Sequence, residues 1–341
     1  MANCLPYRLR GGGAKSFPNG TKWTQSNITS GTFYGLCYAN GIWVAGSVNS
    51  GLYYSTDGKT WVQSSITTNG FSSINYANGI WVTGGNYASS IGLYYSTDGK
   101  TWAQSNITSG DCVGVYYANG IWVVGSSYSR KLGIRYSTDG KTWTQSNITG
   151  KNISCFYNAN GIWVAGENND SGLYYSTDGK SWSRSNITSI AISSVYNANG
   201  VWVAGSGAGN HGLYYSTDGK TWAQSNITTG LFQSVYNANG IWVACGGDVL
   251  YSTDGKIWSQ SNIHNITSNI DFRSIHYANG IWVITNGWDK GLYYSIDGKT
   301  WASSNITSGS FGNVYNANGI WVVGGISSNG LYYSVSWESS N

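Results

Sequence analysis

An all-β fold is predicted by three features of the sequence. One stretch, Gly-Leu-Tyr-Tyr-Ser-Thr-Asp-Gly-Lys-Ser-Trp at residues 172–182, recurs with small changes from end to end. Its Asp-Gly pairs begin at Asp57, Asp98, Asp139, Asp178, Asp218, Asp254 and Asp297, spaced 41, 41, 39, 40, 36 and 43 residues apart. Between successive pairs lie four short runs in which apolar or aromatic residues alternate with polar ones, the period of a strand rather than of a helix. Four strands in a repeat of this length make a blade. The Ile/Val-Trp-Val element occurs at Trp43, Trp81, Trp122, Trp163, Trp202, Trp242, Trp282 and Trp321, so the prediction is an eight-bladed β-propeller with four antiparallel strands per blade.

Residues 1–20 stand outside the pattern, hold Pro6 and Pro18 and the run Gly11-Gly12-Gly13, and read as a flexible leader or an attachment segment to a virion or assembly partner. Residues 21–341 read as a single propeller. Its four strand types are Thr-Trp-Thr-Gln-Ser-Asn-Ile (142–148), Ser-Val-Tyr-Asn-Ala (234–238), Ile-Trp-Val-Ala (42–45) and Leu-Tyr-Tyr-Ser (52–55). The chain opens with the fourth type, at Trp23–Ile28, and its last repeat stops after the third, at Leu331–Ser334. Pairing of these two ends closes the ring, because open edges would otherwise remain at both. The Asp-Gly pairs are expected to form two-residue hairpin turns with both central residues at positive φ.

Charged residues make up only 9% of the chain, against 48 Gly, 27 Tyr and 18 Trp. Of the net charge of +4, three units come from Arg8, Arg10 and Lys15, and seven lysines two residues after the turn aspartates cancel those aspartates in sum. No broad basic stripe remains for nucleic acid, and no apolar run is long enough for a membrane span. The start lacks the apolar core of a secretory signal, which suggests a chain made in the cytoplasm; a place on a virion surface would suit it. Cys4, Cys37, Cys112, Cys155 and Cys245 fall at unrelated repeat positions and read as isolated thiols; no metal or other cofactor is expected. Seven Asn-Ile-Thr sequons, at Asn27, Asn106, Asn147, Asn186, Asn226, Asn265 and Asn305, read as copied with the repeat.

Ser-Thr-Asp-Gly-Lys-Thr-Trp, complete at 55–61, 96–102, 137–143 and 216–222 and varied by Ser181, Ile257 and Ile296 elsewhere, resembles the Asp-box of the sialidase-like (BNR) β-propellers. That motif, Ser-x-Asp-x-Gly-x-Thr-Trp, joins the third and fourth strands of a blade; the present one is a residue shorter between Asp and Gly. The resemblance implies a propeller in which the aspartates are structural. Sialidase chemistry would also need a triad of arginines, a Tyr nucleophile paired with Glu, and an acidic proton carrier. The chain has only Glu167 and Glu338, and Arg130, Arg135, Arg184 and Arg273 fall at unrelated repeat positions. Glu167 with Asp170 could reach the carboxylate separation of a glycosidase by sequence alone, but nearby surface acids are common. No enzymatic activity is expected.

In such a meander the turns after the first and third strands share one rim, and the connections after the second and fourth share the other. The first rim barely changes between repeats. The second changes in almost every one, and loops on a rigid scaffold are where specificity is built. Its candidates for ligand contact are Tyr87, Tyr128, Arg130, Lys131, Glu167, Asp170 and His211, together with Trp288, Asp289, Lys290, Asp271 and Arg273, which form an aromatic-plus-charge cluster in one blade. The expectation is a non-enzymatic binding protein that recognises a glycan or a surface receptor, such as a bacteriophage tail or receptor-binding component. Alternatives are a multivalent lectin with one site per blade and a structural or assembly scaffold that binds a partner protein.

Overall fold

In the computed structural model, residues 20–85, 92–126, 132–169, 172–266 and 271–335 are described. They form eight four-stranded antiparallel sheets, each a simple meander. In the first blade the strands are Phe33–Ala39, Ile42–Ser47, Leu52–Ser55 and Val62–Gln63. The first strand of each blade touches the first strands of both neighbours, so these eight strands surround the axis and the two-residue fourth strands lie outermost. The eighth sheet takes its fourth strand from the start of the chain: Thr24–Gln25 pairs with Leu331–Ser334, Thr24 opposite Tyr333. Ring closure by the N-terminal strand is as the sequence predicts.

The core lies between blades. Two tryptophans per blade are buried, one on the second strand and one before the fourth; Trp43 and Trp61 of the first blade are 1% and 3% exposed. The seam between the last blade and the first is built like the others, with Phe33, Leu36 and Trp43 packed on Tyr315, Val322 and Leu331. Removing one such ring from water is worth roughly 3 kcal/mol, and large aromatics at fixed strand positions let one short repeat fill every seam.

Of the two kinds of turn on the uniform rim, only the Asp-Gly turns differ from expectation. The Asn-Gly pairs after the first strand are the two-residue turns: Asn40 and Gly41, with φ of 49° and 76°, lie between the paired residues Ala39 and Ile42. The Asp-Gly pairs are not, because only the glycine has positive φ, 69° at Gly58. Each instead sits in a longer loop folded on side chains. Asp57 Oδ1 accepts from the Ser55 hydroxyl and from the backbone N–H of Lys59 and Thr60, at 2.8–2.9 Å, and Gly58 N donates to Ser55 Oγ. The same bonds recur at Asp98, Asp139, Asp178, Asp218, Asp254 and Asp297. The Asx chemistry that favours this residue in turns is used here as a loop cap. A Cβ on Gly58 would lie 3.1 Å from the Trp43 indole nitrogen, which fixes glycine there.

The sequon asparagines have a structural task. Asn186 Nδ2 donates to the Trp222 carbonyl and its Oδ1 accepts from Trp222 N, at 2.9 and 2.8 Å, so the side-chain amide pairs with the next blade as a peptide group would. Asn27, Asn106, Asn147, Asn226 and Asn305 make the same clasp. In the sixth blade Asn262, which lies outside any sequon, clasps Trp301, and Asn265 is displaced into a short 3-10 turn. Between the first and second blades the residue is Ser65, whose hydroxyl makes one bond, from Trp102 N.

Of the cysteines, Cys112, Cys155 and Cys245 are buried free thiols. Cys37 is disulfide-bonded, which corrects the expectation of isolated thiols at that position.

Candidate binding rim

The connections after the second and fourth strands are tied to each other by a repeated bond. The glycine before the third strand donates to a carbonyl of the following connection, as in Gly212 N to Gly230 O and Gly291 N to Gly309 O, both 3.0 Å. These glycines have positive φ, and a Cβ on Gly291 would lie 1.9 Å from the Ile306 carbonyl oxygen, so the loops ride on a fixed floor.

The seventh blade builds the most developed cluster on this floor. Its second strand ends at Asn286, whose Oδ1 accepts from Trp288 N at 2.8 Å. Asp289 is left-handed, with φ of 48°; its N donates to Ser310 Oγ at 2.9 Å, and its carboxylate accepts from Gly309 N. Gly287 N donates to the Asp271 carbonyl, and a Cβ on Gly287 would lie 2.5 Å from Asp271 Oδ2 and 2.6 Å from Arg273 Nε. Trp288 therefore stands on a rigid turn beside the Asp271–Arg273 pair, and its side chain is 57% exposed while the sixteen tryptophans of the blade seams are buried. Arg273 Nε and Nη2 lie 2.8 and 2.6 Å from Asp271 Oδ2. Its fork is thus engaged within the protein, and Lys290 is the cation of the cluster with no ion pair among the described residues.

Five of the predicted site residues thus come together: Trp288, Asp289, Lys290, Asp271 and Arg273. Asp289 serves the loop itself, a task shared by Asn210 in the fifth blade, whose Oδ1 accepts from Gly230 N at 2.5 Å. His211, next to Asn210, lies over Gly209 on the same rim but two blades away. Glu167 departs from expectation. It is 2% exposed, its Oε1 accepts from Asn152 N at 3.4 Å and its Oε2 faces Lys151 Nζ at 3.8 Å, so it props the connection from beneath instead of meeting a ligand. Tyr87, Tyr128, Arg130, Lys131 and Asp170 lie outside the described residues.

The repeated aromatics are committed elsewhere. Tyr54, Tyr95, Tyr136, Tyr175, Tyr215, Tyr251 and Tyr333 each have a lysine of the next blade over the ring, at 5.4–6.0 Å from its centroid. Around the axis Tyr116, Tyr157, Tyr196, Tyr236, His276 and Tyr315 follow one another with centroids 4.7–6.0 Å apart. Each packs edge-on to a second-strand tryptophan of the next blade, as Tyr236 does on Trp282. Burial raises the tyrosine pKa values, that of Tyr236 to about 12, and lowers that of His276 to about 4. His276 went unnoticed in the sequence; the available signal was its departure from a position that holds Tyr in five blades.

No family model matches the chain, and no curated protein does. Solved structures do. The computationally designed Ika8 protein superposes with a TM-score of 0.72 at 11% identity, over 93% of this chain and 100% of that one. Sqt1 of Saccharomyces cerevisiae gives 0.66 at 11% identity, over 95% and 100%. YCF48 bound to D1 peptide gives 0.55 at 14% identity, over 96% and 98%. At these identities the likeness concerns the fold, which is that of an eight-bladed β-propeller.

Proposed function

We propose that the protein is a non-enzymatic binding module that recognises a glycan or a surface receptor through the variable rim, with Trp288 as its anchor. The observation that carries this reading is a large aromatic held outward on a turn fixed by Asn286, Asp289 and Ser310, in a molecule whose seams absorb sixteen other tryptophans. A rigid aromatic beside charged groups loses little entropy on binding and is the usual kind of interface hot spot. The short Asp loops are read as relatives of the Asp-box, capping turns and taking no part in chemistry. A role in a phage tail or receptor-binding component suits this reading. The per-blade lectin is the weaker alternative, since the repeated Tyr faces are already covered by lysines. A scaffold docking a partner protein is the other alternative, and a solved propeller of similar fold, YCF48, holds a peptide.

A glycan array and a pull-down, each run with the wild-type chain and Trp288→Ala, test the proposal. The expected result is a bound glycan or receptor whose affinity falls roughly thirtyfold in the variant, about 2 kcal/mol for a hot-spot aromatic. Binding unchanged by the substitution would remove the rim reading, and one bound ligand per blade would favour the lectin.

A further inference from the structure

We propose that a pocket on the propeller axis, below the variable rim, is a binding site for a small uncharged hydroxyl-bearing group such as a hydroxymethyl. It lies within the first strands of the fourth to eighth blades and has a volume of about 40 Å³. Ser193, Ser234, Ser274 and Asn313 line it at the level nearer the variable rim, where those strands begin. Tyr236, His276 and Tyr315, two residues further along their strands and so roughly 6–7 Å deeper, complete it.

Two polar side chains on these walls, the hydroxyl of Ser234 and the imidazole of His276, make no hydrogen bond to another described residue. Their neighbours are used up. Ser194 Oγ accepts from Val235 N at 3.0 Å, and Ser274 Oγ donates to Asn313 Oδ1 at 3.0 Å. The imidazole is held by rings alone, Tyr236 and Tyr315 at 5.6 and 5.1 Å on either side and Trp321 edge-on at 5.7 Å. It is neutral, so one nitrogen accepts and the other donates. The lining contains no carboxylate, ammonium or guanidinium, which leaves an ion without a counter-charge. A single water needs about 10–15 Å³, so the pocket suits a group of a few heavy atoms and is too small for a sugar ring. A hydroxyl, both donor and acceptor, matches the Ser234 hydroxyl and the imidazole at once.

The inference does not rest on the rim reading: failure of the array and pull-down leaves it standing, and its own failure leaves the rim untouched. The test follows the imidazole NMR signals of the full chain, which has three histidines, during titration with glycerol, with methyl β-galactoside, and with acetate and methylammonium as charged controls. A saturable shift of His276 with glycerol, none with the ions, and at least tenfold weaker binding in Ser234→Ala are expected. Saturation by the glycoside as well assigns the site to the exposed hydroxymethyl of a sugar; glycerol alone assigns it to a free polyol. Linear shifts, equal response to the ions, or unchanged affinity in Ser234→Ala with its fold intact by circular dichroism would overturn the proposal.

Discussion

Aspartate at the seven capped loops is under opposing influences. Burial raises each carboxyl pKa, but bonds from the two following backbone N–H groups and from the Ser hydroxyl outweigh it, so that Asp57 and Asp218, like the other five, titrate below the usual 3.8. A folded pKa below the unfolded one means that the stabilisation is complete above about pH 4 and is lost as pH falls through the folded values. Acid unfolding followed by circular dichroism should therefore steepen below about pH 4, and Asp218→Ala should cost about 1 kcal/mol at pH 7 and progressively less in acid. His276 acts in a higher window. Burial lowers its pKa from 6.5 to about 4, so stability is full above 6.5 and declines as pH drops toward 4. His276→Tyr, which installs the residue of five other blades, should flatten denaturant midpoints between pH 7 and pH 5.

Among the structural elements, the clasp between blades is uneven at a single place. Ser65 makes one bond to Trp102 where seven asparagines make two. Ser65→Asn should stabilise the ring by about 1 kcal/mol, read as a higher urea midpoint, and Asn186→Ala should destabilise it by about 1–3 kcal/mol because the Trp222 N–H and carbonyl lose their partner. The strands, their order and the closing pair were legible in the sequence because period-two alternation and a fixed repeat leave little freedom of register. The geometry of the Asp loops was not, since Asp-Gly and Asn-Gly look alike as hairpin signals and only the Ser hydroxyl two residues before the Asp distinguishes them. The clasp was equally hidden, because a side chain that pairs across a seam leaves no periodic trace in its own strand. Asn262 shows this best: the sequon motif points to Asn265, three residues away.

At the level of the whole molecule, the meander separates constancy from variation. The first and third turns face one way, and the connections that differ between repeats face the other. The site candidates were readable only as far as that division. Trp288, Asp271 and Arg273 are brought together because their two connections belong to one blade, whereas Glu167 is drawn inward by Asn152 and Lys151. Removing residues 1–30 would leave Leu331–Ser334 as an unpaired edge and leave Trp61 without Asn27. Size-exclusion chromatography of that truncation should show larger, associated species than the full chain gives.

The amide clasps also dictate where the chain can be produced. Oligosaccharide transfer in a eukaryotic secretory pathway acts on unfolded sequons, and at Asn27, Asn106, Asn147, Asn186, Asn226 and Asn305 it would place a bulky sugar on the nitrogen that must reach the adjoining tryptophan. Material secreted from such a host should carry glycans and fail to assemble, while material from a bacterial cytoplasm, or secreted with those threonines changed to valine, should give the intact wheel.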